Sequence, residues 1–269
     1  MEELSLQELK DIEFEILKHF HTFCENHRLR YCLAYGTLLG AVRYRGFIPW
    51  DDDVDVLMPR EDYNRFLKLY RDSEQYRLFA FEKDTAAEFP YAKICDMTTR
   101  KDESGYACLV PLGVDIDIFP LDYWDDDLEK AKREAKRIGR NMFCLGLSRL
   151  RRTKPGNPLK RFAKGLLMRW CRLLGGAHYV RKILKEAVKD EQCGSRYMGT
   201  KTWCVYGERN IIPAEACADR IQIEFESERF VAPIGYDAYL TCLYGDYLPE
   251  PPKEKQKTHH TFKAYKLQS

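Results

Sequence analysis

Residues 36–56 read GTLLGAVRYRGFIPWDDDVDV, and this stretch decides the fold. A Gly-Thr pair leads into a short helical run, and seventeen residues after Gly36 the chain reaches Asp53-Val54-Asp55-Val56. Side chains alternate faces along a strand, so Asp53 and Asp55 share one face, and Asp51 extends the row if the strand reaches back that far. Two carboxylates that close raise each other's pKa values. Such a pair calls for a cation between its members, and oxygen-only ligands suit Mg²⁺. A Gly-Thr turn at a helix start offers backbone N–H groups to a phosphate. A phosphate cradle beside a Mg²⁺ pair outlines a phosphoryl- or nucleotidyl-transfer site.

Working outward, Ser5-x-x-Glu8 is a capping-box pattern. Leu9, Ile12, Ile16, Phe20 and Phe23 follow at helical spacing, which predicts a helix to about residue 26. Residues 31–35 read as a strand feeding the Gly36-Thr37 turn and a helix of two turns through Arg43. Residues 54–58 form the acidic strand, and Pro59-Arg60-Glu61-Asp62 opens a helix ending near Arg71. Strands are expected at 76–81 and 91–95. Residues 113–120, GVDIDIFP, alternate acid with apolar and predict a second acidic strand with Asp115 and Asp117 on one face. Interleaved strands and helices indicate an α/β (α+β) protein with a mixed sheet and flanking helices. From 128 to about 192 the pattern turns helical, broken once at Gly175-Gly176. Strands return at 221–225 and 229–231, Pro233-Ile234-Gly235 precedes a helix to about Leu243, and the tail PEPPKEKQKTHH reads as extended. The expected organisation is a catalytic core over 1–127, a basic helical insertion over 128–198, and a C-terminal part, 199–269, that completes the core.

Composition narrows the function classes. The chain has 269 residues, 45% apolar and 13% aromatic, enough for a packed core. The net charge is only +2, so no whole-molecule field points to nucleic acid. The charge is unevenly placed: residues 128–172 hold fifteen Lys or Arg against two Glu. Ten cysteines are scattered without a C-x-x-C pair, the first residues are acidic and amphipathic, and no run of about 18 apolar residues occurs. Reduced thiols in a cytoplasmic protein are expected, ahead of five disulfides in a secreted chain.

Asp53, Asp55 and Asp117 meet if the two acidic strands are neighbours. Three carboxylates can hold two Mg²⁺ ions, or hold one and supply a base. A lone D-x-D is usually a solvent-facing pair; two of them beside a Gly-Thr turn favour a site. Arg43 and Arg45, after the Gly-Thr helix, and Lys93, on a predicted strand, are candidates for donor phosphates, with a solvated helix end weighed equally for the arginines. Trp50 is a candidate to stack on a base, although such a Trp is more often core. His259-His260 offers metal or phosphate contacts without a base partner in view. Residues 158–175, PLKRFAKGLLMRWCRLLG, place Leu159, Phe162, Leu166, Trp170 and Leu173 on one stripe, with Lys160, Arg161, Lys164, Arg169 and Arg172 on the other faces. That pattern suits a core-packing helix with a solvated basic face or an anionic membrane surface.

The block 36–56 resembles the signature of the LicD family of phosphotransferases, Gly-Thr/Ser-Leu-Leu-Gly-Ala-Val-Arg followed by Gly-Phe-Ile-Pro-Trp-Asp-Asp-Asp. Residues 113–122, GVDIDIFPLD, and 230–247, FVAPIGYDAYLTCLYGDY, then Pro251-Pro252, are similar to two further motifs of that family. The resemblance implies a nucleotidyltransferase-like fold and Mg²⁺ or Mn²⁺ held by Asp53, Asp55 and Asp117. Gly36, Thr37, Arg43 and Lys93 are the expected donor contacts. The resemblance also implies transfer of a substituted phosphate from a CDP-linked donor, commonly phosphocholine from CDP-choline or a CDP-alditol in relatives, onto a hydroxyl of a glycan or lipid-linked glycan with release of CMP. Asp117, or Asp115 beside it, would take the proton from the attacking hydroxyl. The region 128–198 lies outside these motifs and is expected to carry acceptor or membrane specificity. Two other expectations use the same residues: a nucleotidyltransferase modifying a small molecule such as an antibiotic, and a non-catalytic binding protein.

Overall fold

The computed structural model describes residues 1–103, 105–151, 158–189, 194–258 and 262–267. His259 and His260 lie outside the described residues, and with them the expectation placed on that pair. In chain order the elements are β1 (Glu2–Glu3), α1 (Leu6–His27), β2 (Cys32–Leu33), α2 (Tyr35–Tyr44), β3 (Asp55–Pro59), α3 (Arg60–Leu69), β4 (Tyr76–Phe79), β5 (Ala92–Asp96), β6 (Thr99–Glu103) and β7 (Val114–Tyr123). There follow α4 (Leu128–Arg149), α5 (Pro158–Leu174), α6 (Gly176–Ala187), β8 (Tyr197–Gly199), β9 (Ile212–Pro213), β10 (Arg220–Phe225), β11 (Glu228–Pro233), α7 (Tyr236–Tyr244) and β12 (Phe262–Lys266).

The capping box of α1 is formed on both arms: the Glu8 N–H donates to Ser5 Oγ at 3.3 Å and the Ser5 N–H to Glu8 Oε2 at 2.8 Å. The main sheet runs β2-β3-β7-β5-β4, with β8 and β9 continuing from the far end of β7. Only the β3/β7 pair is parallel; β2, β5 and β4 run antiparallel to their neighbours. The α/β expectation with a mixed sheet therefore holds. The decisive register is Asp55 opposite Asp117, with Lys93 of β5 opposite Asp117 on its other side. The core beneath joins Ile16 and Phe20 of α1, Val56 and Ile118 of the sheet, and Phe225, Phe230, Tyr239 and Leu240 from the C-terminal segment, all fully or almost fully buried. A second apolar cluster gathers Trp124, Ala131, Ala135, Ile138, Val180 and Ile183 around α4 and α6.

Several boundaries differ from the sequence-based expectation. β3 begins at Asp55, so Asp53 sits in the approach to the strand, and the alternation argument does not pair it with Asp55. The reason is local: the Asp55 N–H is taken by the Thr37 hydroxyl at 2.8 Å, which ends the ladder there. β2 is short because Ala34 is already the cap of α2. The basic region is broken twice rather than once: besides Gly175, α4 ends at Arg149 and α5 opens at Pro158, a proline at the first helical position, where its missing N–H costs nothing. β1, β6, β8, β9 and β12 were absent from the expectation. The nine cysteines among the described residues are free thiols. No described helix is long and apolar enough to cross a membrane.

Candidate active site

The site begins at the first turn of α2. Tyr35 takes φ = +43°, a conformation that a residue other than glycine rarely adopts. Its hydroxyl is fixed against Thr200 Oγ1 at 2.5 Å and its ring lies 5.6 Å from those of Phe119 and Tyr206. At Gly36 an added Cβ would stand 2.6 Å from Asp51 Oδ2. Glycine is what lets that carboxylate approach the N-terminus of α2, where the aligned peptide dipoles favour negative charge. Thr37 then ties this turn to the start of β3 through the Asp55 N–H.

A cavity of about 830 Å³ opens over this junction, within the range of small-ligand sites. One wall carries Asp53, Asp55, Asp115, Asp117, Lys93 and Lys101; α4 contributes Lys136, Phe143 and Arg149 to the other. Between them stands an aromatic corner. The ring centroids of Tyr91 and Phe119 are 4.5 Å apart, and Trp203 meets Tyr91 at 5.3 Å, nearly edge to face, and Phe119 at 6.1 Å. The register explains the corner. Tyr91 precedes Lys93 by two residues and Phe119 follows Asp117 by two, so both rings share the face of the charged pair.

The charges divide into a satisfied and an unsatisfied part. Lys93 Nζ donates to Asp115 Oδ2 at 2.5 Å and also to Asp117 Oδ1, and Lys101 Nζ donates to Asp115 Oδ1 at 2.7 Å. Burial alone would raise Asp115, but the Lys101 and Lys93 ammonium groups outweigh it and hold the carboxyl below the usual range. Asp117 shares only Lys93, and burial together with Asp115 pushes it up to about 6. Asp55 goes well above the ordinary carboxylate range through burial, then through Asp53, Asp117 and Asp51. Glu13 of α1 joins from below. It is 1% exposed and its Oε2 has no hydrogen-bond partner. Burial raises it strongly, the Lys101 ammonium opposes, and Asp53, Asp115 and Asp52 reinforce the rise.

Among the described residues no three His, Cys, Asp or Glu side chains already form a cage for a metal ion. The donor set nevertheless fits a hard divalent cation: Asp55 lies in register with Asp117, burial first and neighbouring carboxylates second raise both, and their oxygens are the ligands Mg²⁺ or Mn²⁺ takes.

Of the residues singled out from the sequence, Asp53, Asp55, Asp117 and Lys93 meet in the cavity. Gly36 and Thr37 lie immediately behind, as shown by the contacts to Asp51 and Asp55. Lys93 is committed to the acids. Arg43 does not line the cavity; it stands at the other end of α2, about 10 Å along the axis from Gly36, and its guanidinium donates to the Pro249 carbonyl. Arg45 caps the same end and faces Glu224 at 3.9 Å. Trp50 packs edge-on to Tyr44 at 6.3 Å, outside the cavity. Sequence reading missed Lys101, Trp203, Arg149 and Glu13. Only Glu13 left a signal, an acid on the buried arc of α1 among Leu9, Ile16, Leu17 and Phe20.

A Gly-Thr helix start feeding acids on two neighbouring parallel strands is the layout of a nucleotidyltransferase-like transfer enzyme. Comparison with known proteins agrees: residues 28–126 match the family model described as LicD/FKTN/FKRP, nucleotidyltransferase domain. Over 273 aligned residues, 99% of this chain and 100% of the relative, the chain is 32% identical to the lipopolysaccharide cholinephosphotransferase LicD of Haemophilus influenzae. Shorter likenesses join it to an uncharacterized protein of Rickettsia typhi, 36% identical over 67 residues, 24% of this chain and 22% of that one. Another is an uncharacterized protein of Rickettsia prowazekii, 41% identical over 49 residues, 18% of each. The chain belongs to the LicD family.

Proposed function

We propose that this protein transfers phosphocholine from CDP-choline to a hydroxyl of a cell-surface glycan precursor at the inner face of the cell membrane, releasing CMP. The observation that carries the reading is the sharing of one cavity by two kinds of wall. Asp53, Asp55 and Asp117 lie on one side, and the Tyr91–Phe119–Trp203 corner lies beside them. A quaternary ammonium is recognised by aromatic faces, and a diphosphate needs positive charge near its bridging oxygens. The near full-length likeness to a cholinephosphotransferase supports the same donor.

In this reading Asp53, Asp55 and Asp117 hold Mg²⁺ or Mn²⁺, which when bound neutralises donor phosphate charge. Asp117 accepts the proton of the attacking hydroxyl. Asp115 is unsuited to that task, because Lys93 and Lys101 hold both its oxygens and its side chain is 2% exposed against 19% for Asp117. Lys93 positions Asp117, and the α2 turn fixes Asp55 through Thr37. The amphipathic wall of α4 lies where an acceptor enters.

The test is CMP release from CDP-choline, CDP-ethanolamine and CDP-ribitol with Mg²⁺ or Mn²⁺ and a glycan acceptor. CDP-choline should be preferred, and Trp203→Ala should erase about tenfold of that preference. Pyrophosphate as product would replace the reading with nucleotidyl transfer, and preference for the alditol donor would remove the aromatic corner from head-group recognition.

A further inference from the structure

The apolar stripe of α5 faces away from the protein. At 100° per residue, Phe162, Leu166, Trp170 and Leu173 fall within an arc of about 80°. They are 68%, 56%, 61% and 75% exposed, whereas among the described side chains of the helix only Met168 and Cys171, on the opposite side, are buried against the body. A helix that packs its apolar stripe into a core shows the reverse. The helix carries Lys160, Arg161, Lys164, Arg169 and Arg172 and no acid. Arg169 and Arg172, both exposed, lie on one edge of the stripe. At 17 residues it is about 26 Å long, too short and too charged to span a bilayer.

We infer that α5 is a docking surface for an anionic lipid bilayer, lying in the interface plane with the Phe162–Leu166–Trp170–Leu173 stripe inserted and the basic edge against lipid phosphates. Charge complementarity selects this occupant. Five cations and no acid in the sequence of one helix make a second copy of the same helix a repulsive partner, whereas an anionic leaflet attracts Lys and Arg held near its surface. Trp and Phe are the residues that settle at the depth of the headgroups. The stripe lies on the side of α5 away from α4, and α4 forms one wall of the cavity, so a docked α5 holds the cavity close to the membrane surface.

The test is co-sedimentation of the full chain with vesicles of phosphatidylcholine alone and of phosphatidylcholine with about one third phosphatidylglycerol. Binding is expected to the mixed vesicles, at least tenfold tighter than to the neutral ones, and to weaken with salt. Phe162→Ser with Trp170→Ser should lower it tenfold or more, and Arg169→Gln with Arg172→Gln should remove its salt sensitivity. Circular dichroism and melting temperature should stay unchanged in both variants. Equal binding to both vesicles, unaltered binding of the variants, or a dimer in solution that the Phe162/Trp170 variant dissolves would overturn the inference. No donor or acceptor enters the assay, so its outcome is independent of the proposed reaction.

Discussion

The two ends of β7 hold buried carboxylates under opposite regimes. At the far end Asp122, 1% exposed, receives Arg60 through two parallel bonds of 2.7 and 2.8 Å, a fork geometry that matches donors to acceptors one for one. At the near end Asp115 and Asp117, with Asp55 in register beside them, share the ammonium groups of Lys93 and Lys101. The first arrangement is complete and locks α3 to the sheet. Burial raises Asp122 too, with the Arg60 guanidinium opposing it; the second arrangement is short of positive charge, and at Asp55 neighbouring carboxylates add to the rise that burial begins. One strand thus separates a structural acid from functional ones by how fully its neighbours answer the charge.

The largest effect that can break this contrast is at Asp55. Asp55→Asn should reduce CMP release at least about 10³-fold, the scale of losing a group that organises transition-state charge, while the melting temperature measured without added metal stays level or rises, because a buried like-charge contact is relieved. Retained turnover would move Asp55 to the structural class. At the other end Asp122→Ala should cost about 3–5 kcal/mol in urea unfolding, since Arg60 is left buried and unpaired; a loss below about 1 kcal/mol would erase the distinction.

A smaller effect is expected at Glu13. Its folded pKa is raised, so its favourable contribution is present below the ordinary value of 4.5 and is lost as pH rises toward the folded value. Glu13→Gln should therefore match the parent in stability near pH 4 and exceed it at pH 8, read by denaturant melts in EDTA. A parallel pair of pH curves would show that Glu13 carries no such burden. Smallest of all, Thr37→Val removes the acceptor of the Asp55 N–H and should cost about 1 kcal/mol, with a loss of turnover larger than that stability change implies if α2 positions Asp55 for the reaction.

Much of this was legible in the sequence. The strand alternation of residues 113–120 placed Asp115 and Asp117 on one face, and the capping box at Ser5 placed α1, because both are short-range patterns written in consecutive side chains. Lys101 was not legible. It reaches Asp115 from β6, a strand paired with β12, more than 150 residues further on, so no local alternation marks it. Trp203 was not legible either, since it reaches Tyr91 from a turn after β8 that no periodicity marks. The direction of the α5 stripe escaped for a different reason: periodicity reports that a stripe exists, and only the fold shows which way it points. Arg43 misled because adjacency to the Gly-Thr turn in sequence becomes separation along a helix axis in space.

One consequence of the last strand concerns the order of events at the ribosome. β12 lies between β1 and β6, and Phe262 sits beneath the Lys101 ammonium at 4.1 Å. Until residues 262–266 emerge from the exit tunnel, β1 lacks the one strand partner it has among the described residues and β6 lacks its edge cover. A nascent chain that has folded α1 through β7 already holds Lys93 and Lys101, the cations of Asp115, but not the Phe262 ring against Lys101. The closing strand thus finishes a sheet edge around a charge network that earlier strands already assemble.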